Sequence, residues 1–303
     1  MKNNPKVLII KHGSLGDIFM ALDAINSIQK HFNSNNIYFC TTKFGKKTLL
    51  ELDLGFNLKF IVDDRKKNPI LLFFLLYKLI THNFDYIIDL QNSKRTCFYI
   101  YFLRFFKKKY INSTCRFANY RFIPPIHGTQ HVKIGLEKQL EILNIKKKKI
   151  YFGETKINKN KIALIVPGSS TAGILKRWPL EKYNELMKKL IGVGYTCYVI
   201  GGEEDLELKQ MLLKDEKIVD LIKSSPWKKV IELSLSSSLA ISNDTSNMHL
   251  ISNLGCPTIA IMKDGPLTIS NSPYNELSFT FVNKNIKNIN VENVFLKAIE
   301  IAR

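Results

Sequence analysis

A chain of 303 residues with 45% hydrophobic content is long enough for two domains, each with its own core, and no apolar run reaches the roughly 18 residues that would span a bilayer. Five cysteines, odd in number, widely spaced and without a C-x-x-C pair, argue for reduced thiols rather than a disulfide framework or zinc site. The net charge of +19 is uneven: residues 1–150 hold 26 Lys+Arg against 10 Asp+Glu, net +16, and residues 151–303 hold 19 against 16, net +3. The front half is therefore expected to face something acidic, a bias toward lysine and asparagine being the alternative.

Residues 6–11 (K-V-L-I-I-K) read as a buried strand running into H-G-S-L-G-D. The helical spacing of Ile18, Leu22, Ile25 and Ile28 follows, with Ser14 as cap and Asp17 in the first turn. Further strands are predicted at 37–41, 59–62 and 86–89 with helices between, an alternation that argues for a parallel sheet covered on both faces. Asp89, Gln91 and Asn92 close the last of these, and Lys94 and Arg95 follow; they are candidates for gripping a substrate, a solvated loop being the alternative. Residues 69–80 (P-I-L-L-F-F-L-L-Y-K-L-I) and 98–106 (F-Y-I-Y-F-L-R-F-F), the second followed by Lys107, Lys108 and Lys109, are expected by default to be helices packed inside the domain. Partial burial in a membrane interface is the competing reading.

Around 146–160 the pattern dissolves into a polar linker, and a second α/β series begins. It reads as a strand at 162–166, a small-residue loop over 167–175, and K-R-W-P introducing a helix over 180–190, with Pro179 suited to its first turn. A strand at 195–200 ends in G-G-E-E-D. The run 239–262 then gives a strand, a polar loop, a helix capped by Thr245 or Ser246, a stop at Gly255 and Pro257, and a buried strand at 258–262. No internal repeat is detectable, although both halves share one architecture.

In such sheets ligands sit at the carboxyl ends of the strands. There the second half gathers Ser169, Ser170 and Thr171, the pair Lys176–Arg177, a Gly201–Gly202 turn with Asp205 behind it, and the helix start at Asp244 to Ser246. This set suits a nucleotide diphosphate: basic side chains and helix N–H groups for the pyrophosphate, a carboxylate for the ribose. Asp17 of the first half can serve as base for an acceptor hydroxyl, a structural helix-start carboxylate being the alternative. His249 can reach a phosphate, or it packs or faces solvent. Metal binding is not expected: Asp63 and Asp64 are adjacent rather than spaced as D-x-D, and His127 and His131 lack a third ligand.

S-L-G-D at 14–17, P-G-S-S at 167–170, K-R-W-P at 176–179, G-G-E-E-D at 201–205 and N-D-T-S-N-M-H-L at 243–250 occur in this order. Together they resemble the glycosyltransferase family 9 heptosyltransferases of lipopolysaccharide core synthesis, across nearly the whole chain. The resemblance implies an α/β protein of GT-B fold, two Rossmann-like doubly wound domains facing a central cleft. Residues 1–150 would bind the acceptor and carry the base, and 151–303 the nucleotide sugar, the last helix being free to pack back on the first domain. It implies metal-independent, inverting transfer of heptose from ADP-heptose, a substrate rather than a cofactor, to an acidic lipid-linked inner-core acceptor. The protein would work as a monomer, peripherally on an anionic membrane surface, the cytoplasmic face of the inner membrane, without nucleic acid.

By position, Asp17 matches the family's base and Lys176 its diphosphate-binding lysine. Asp205 falls where a carboxylate meets the ribose, and Asp244, Thr245, Ser246 and His249 fall in the donor loop D-T-G-x-x-H, with Ser169 and Ser170 nearby. Gln91, Lys94 and Arg95 are expected at the acceptor. Two positions depart from the pattern: Ser246 stands where the family usually has glycine, and so does Asn92. A relative using another nucleotide sugar is the alternative; a nucleic-acid-binding protein would want basic residues interleaved with exposed aromatics along one surface.

Overall fold

The computed structural model describes residues 4–106, 109–126, 128–152, 160–169 and 171–302. Ser170, Lys107, Lys108 and His127 lie outside the described residues. The chain divides into two compact units, Met1–Tyr151 and Phe152–Arg303.

The first unit runs β1 (Val7–Ile10), α1 (Leu15–Met20), α2 (Leu22–Phe32), β2 (Ile37–Thr41), α3 (Lys43–Leu52), β3 (Lys59–Val62), α4 (Pro69–Thr81), β4 (Tyr86–Asp89), α5 (Lys94–Leu103), β5 (Tyr110–Ser113), β6 (Tyr120–Arg121) and α6 (Val132–Glu141). All its strands are parallel, in the order β3-β2-β1-β4-β5-β6. β1 is apolar throughout because both its faces are covered. One of those faces carries the core made by Leu75 and Leu79 of α4 and Tyr99, Ile100 and Leu103 of α5, packed on Leu8, Ile10, Ile87 and Ile111.

The second unit runs β7 (Asn160–Val166), a 3-10 turn (Thr171–Lys176), α7 (Leu180–Gly192), β8 (Thr196–Gly201), a 3-10 turn (Glu203–Asp205), α8 (Leu206–Lys209), β9 (Ile218–Ile222), α9 (Trp227–Ser236) and β10 (Ser237–Asn243). It closes with α10 (Ser246–Asn253), β11 (Thr258–Lys263), α11 (Thr268–Asn271), β12 (Phe279–Asn283), a 3-10 turn (Ile286–Asn288) and α12 (Val291–Ile301). Its parallel sheet has the order β12-β11-β10-β7-β8-β9. Read from β9, that is the first unit's order again, the 3-2-1-4-5-6 order of dinucleotide-binding folds. The order reverses between β1 and β4 in one sheet and between β7 and β10 in the other, so the loops after these four strands hold the natural ligand positions. Tyr183, Leu186, Met187 and Leu190 of α7 pack with Val294 and Ala298 of α12 on Ile165, Val199, Ile241 and Ile261. The last helix thus lies on α7 of its own unit.

Two expectations are corrected. The greasy segments do become helices, but each buries only a stripe: Ile70, Leu71, Phe73, Phe74 and Tyr77 of α4, Phe98 and Tyr101 of α5, and Phe105 and Phe106 beyond it are exposed. The cause is sequence, since α4 is apolar around nearly its whole circumference while the sheet can cover one side. Nor are all thiols reduced: Cys97 and Cys115 are joined in a disulfide, and Cys40, Cys197 and Cys256 are free and buried.

Candidate active site

In the second unit the loops after β7 and β10 are tied through one side chain. Asn243, at the end of β10 and fully buried, donates from Nδ2 to the carbonyls of Pro167 (2.7 Å) and Gly168 (3.4 Å). Its Oδ1 accepts from the Trp178 N–H and the Tyr183 hydroxyl, both at 3.0 Å. K-R-W-P is thereby fixed beside the β7 loop. Arg177 completes the junction: Nε donates to Ser169 Oγ (3.0 Å), Nη2 to the Ser169 carbonyl (2.7 Å) and Asp205 Oδ1 (3.1 Å), and Nη1 to Glu207 (2.9 Å).

Asp205 is buried and also accepts from the N–H groups of Ser169 (3.2 Å) and Gly202 (3.0 Å). Burial pushes its carboxyl above the usual carboxylate range, against those N–H groups and the Arg177 charge. Both carboxylate oxygens are thus engaged within the unit, and Gly168 is glycine because a Cβ there would run into this carboxylate. Thr245 is the cap of α10, accepting from Met248 N–H at 3.2 Å, so Ser246 is the first helical residue, half-buried. Lys176 Nζ pairs with Asp244 Oδ2 at 3.3 Å, with the lysine side chain 54% exposed. His249 is buried with Nε2 4.0 Å from Asp244 Oδ1. Lys176, Asp244, Thr245, Ser246 and His249 are thus brought to one end of α10, while Asp205 with Ser169 forms a neighbouring cluster around Arg177.

In the first unit Ser14 and Asp17 form a capping box at α1. Asp17 Oδ2 accepts from both the N–H and the hydroxyl of Ser14, each at 2.8 Å. A Cβ at Gly13 would stand 2.5 Å from the same oxygen, so glycine is required for the carboxylate to lie here. Oδ1 has no hydrogen-bond partner among the described residues and keeps its lone pairs for another group.

Behind Asp17 lies a layer of buried charge at the strand ends. Lys11 donates to the Leu90 carbonyl (3.1 Å), and burial holds its ammonium below the ordinary lysine range, against the pull of Asp17 and Asp89. Asp89 accepts from the N–H groups of Gln91 and Asn92 and from the Ser113 hydroxyl, all at 3.0 Å. Burial raises its carboxyl all the same. Asp63 takes a two-pronged grip from Arg95 (2.7 and 3.1 Å) and the Tyr99 hydroxyl (2.5 Å). Burial would raise it, but these bonds, the Arg65 N–H and nearby His12 hold it low. His12, 2% exposed, has no hydrogen-bond partner on either ring nitrogen among the described residues; its Nε2 is 3.6 Å from Asp63 Oδ2.

The three acceptor candidates separate accordingly. Arg95 is committed to Asp63, Gln91 accepts the His12 N–H at 3.1 Å, and Lys94 is exposed. Asn92 has φ 51°, the left-handed conformation that glycine or asparagine adopts readily, which accounts for the exchange at this position. Its side chain accepts from Thr114 N–H (2.9 Å) and donates to Gln139 (2.8 Å), bonds that glycine lacks. Sequence reasoning missed His12, Lys11, Asp63 and Asn243 as site builders; their shared signal is a polar residue at a strand's carboxyl end or within two positions of it. Arg177, expected with Lys176 at the pyrophosphate, is instead engaged by Ser169, Asp205 and Glu207. Among the described residues no group of three or more His, Cys, Asp or Glu is placed to hold a metal ion.

Comparison with known proteins agrees with this architecture. Over 98% of this chain and 99% of the other, the Escherichia coli heptosyltransferase WaaC with ADP superposes with a TM-score of 0.73 at 18% identity. E. coli ADP-heptose lps heptosyltransferase II gives 0.72 at 16% identity over 98% of each chain. A family 9 glycosyl transferase from Veillonella parvula DSM 2008 gives 0.76 at 16% identity over 100% of this chain and 98% of its own. No curated protein matches the sequence. These likenesses show the fold, GT-B. The model of glycosyltransferase family 9 (heptosyltransferase) matches residues 74–294, well over half the chain. On that match the chain belongs to glycosyltransferase family 9, the heptosyltransferase family, and is a glycosyltransferase.

Proposed function

We propose that the protein transfers heptose from ADP-heptose to a hydroxyl of an acidic, lipid-linked saccharide at the cytoplasmic face of the inner membrane, with inversion and without a metal. The acceptor oxygen attacks the anomeric carbon, its proton passes to Asp17 Oδ1, and the bond from that carbon to the diphosphate oxygen breaks. The departing ADP takes its charge onto Lys176 and the first N–H groups of α10. The observation that carries this reading is the convergence of Lys176, Asp244 and the start of α10 at the β7/β10 switch point, in a chain of family 9. In the absence of donor, Asp244 is the counter-charge of Lys176, and a diphosphate would replace it there. Asp205 holds the β7 loop through Ser169 and Arg177, so its part in meeting a ribose is one of placement.

The test is transfer from ADP-heptose to a heptose-free lipid A acceptor by purified protein. Wild type should transfer, Asp17→Asn should lose at least about a hundredfold in kcat, and Lys176→Ala should chiefly raise the donor KM. No transfer by wild type, or undiminished transfer by Asp17→Asn, would overturn the mechanism. A second reading, another nucleotide sugar as donor, rests on Ser246, whose side chain stands at the first turn of α10. A donor panel scored by nucleotide diphosphate release separates the two, and Ser246→Gly should shift the ranking of donors.

A further inference from the structure

The solvent side of α4 has the wrong chemistry for water. Ile70 is 64% exposed, Phe73 65%, Phe74 61% and Tyr77 61%, and Lys78 is the only charged residue in the helix's 13 positions. The inward stripe, Leu75 and Leu79 with half-buried Leu72, Leu76 and Ile80, already secures the helix to the sheet. The outward aromatics are therefore surplus to folding. α5 packs on the same face of the sheet and adds exposed Phe98 and Tyr101, with Phe105 beyond its end. Arg104 stacks over Tyr101 (4.8 Å) and Phe105 (4.6 Å). A contiguous apolar surface of this kind marks a partner.

Charge identifies the partner. Lys66 and Lys67 stand just before α4 and Lys78 in its last turn, in a half of the chain with net +16. Between α4 and the start of α5 lies a recess of about 390 Å³, lined by Leu71, Phe74 and Leu75 with Lys66 and Lys78, and by Asp64 and the mutually neutralised pair Arg95–Asp63. Apolar side chains rimmed by cations, on a surface this basic, match a layer of apolar chains beneath anionic phosphates. A second copy would bring the same cations against themselves. At 13 residues α4 is about 20 Å long, enough to lie in an interface and too short to cross one.

We infer that the outer face of α4, continued by α5, is a membrane-docking surface that inserts Phe73, Phe74 and Tyr77 into an anionic phospholipid bilayer, with lipid phosphates on Lys66, Lys67 and Lys78. The inference does not depend on sugar transfer, and its test contains no donor. The full chain is floated with vesicles of phosphatidylcholine alone, or of phosphatidylcholine and phosphatidylglycerol in equal parts. Binding is expected to the mixed vesicles and to weaken as salt is raised. Phe73→Ser/Phe74→Ser should lower the partition coefficient roughly tenfold for each phenylalanine. Lys66→Glu/Lys67→Glu should lower it at least about fivefold per lysine. Because the substituted residues are exposed, both variants should melt as wild type does, which separates lost docking from lost folding. No binding to mixed vesicles, or binding that survives Phe73→Ser/Phe74→Ser, overturns the inference. So does a concentration-dependent dimer in sedimentation velocity that this variant abolishes, since a second copy would then be the occupant.

Discussion

Replacing Asn243 with alanine tests whether one buried amide holds the donor loops together. The side chain is fully buried and makes four hydrogen bonds, accepting from Trp178 N–H and the Tyr183 hydroxyl and donating to the carbonyls of Pro167 and Gly168. The 3.4 Å bond to Gly168 is the weakest and is left out of the reckoning. Alanine strands the other three groups, and the two donors, the Trp178 backbone N–H and the Tyr183 hydroxyl, belong to residues that are themselves essentially buried. An unsatisfied buried polar group costs about 1–3 kcal/mol, so the lower half of that range gives about 3–6 kcal/mol for the three. For a unit of this size each kcal/mol moves the melting temperature by about 2–4 °C, which puts the fall near 10 °C. Calorimetry of the full chain measures it, as a transition of the second unit that moves while the other stays. ADP binding, followed by titration below the melting range, should weaken as well, because the β7 loop and K-R-W-P are both anchored on this amide. A shift below about 3 °C with unchanged ADP affinity would refute the reasoning.

Gly168→Ala should cost at least about 2 kcal/mol by overpacking against the Asp205 carboxylate, while Gly202→Ala, whose Cβ would meet nothing within 4 Å, should be near neutral; thermal melting of the pair checks this. Burial holds the His12 pKa below 6.5, against Asp63 and with the charges of Arg65 and Arg95. The folded form therefore stays neutral where the unfolded chain takes up a proton. Stability from this residue is complete above about pH 6.5 and is lost as the pH falls toward the folded value. Urea unfolding compared at about pH 7.5 and 5.5 should show that loss, and His12→Asn should flatten it. At Asn92, stability should fall in the order Asn, Gly, Ala. Glycine gives up the bonds to Thr114 and Gln139 at about 1–2 kcal/mol, and alanine adds about 1 kcal/mol for left-handed backbone, as chemical denaturation can measure.

The central strands were legible because full burial writes itself as an unbroken apolar run: V-L-I-I and Y-I-I-D leave little doubt, and the bounds of β2, β3 and β4 follow from the sequence. β5, β9 and β12 went unread because Y-I-N-S, I-V-D-L-I and F-T-F-V-N carry polar residues that their positions in the sheet tolerate. The caps of α1 and α10 and the stop at Gly255, where φ is +84°, were visible as local chemistry. What sequence spacing does not carry is pairing across the sheet. Asp63 and Arg95 meet over 32 positions, and Asn243 reaches Pro167 over 76. At α4 the sequence left two readings open, packing inside the domain and partial burial in a membrane interface: hydrophobicity predicts burial, but it does not count how many sides the sheet can cover.

The contact between Gly168 and Asp205 bears on how such chains change over time. The glycine is required by a carboxylate 37 positions away, and that carboxylate is in turn held by Arg177. A lineage that lost the acid at 205 would release both the arginine and the glycine from constraint, whereas either of those changing first would be penalised. The three positions should therefore be inherited as a block, and a chain lacking the acid should be the one in which 168 is free to carry a side chain.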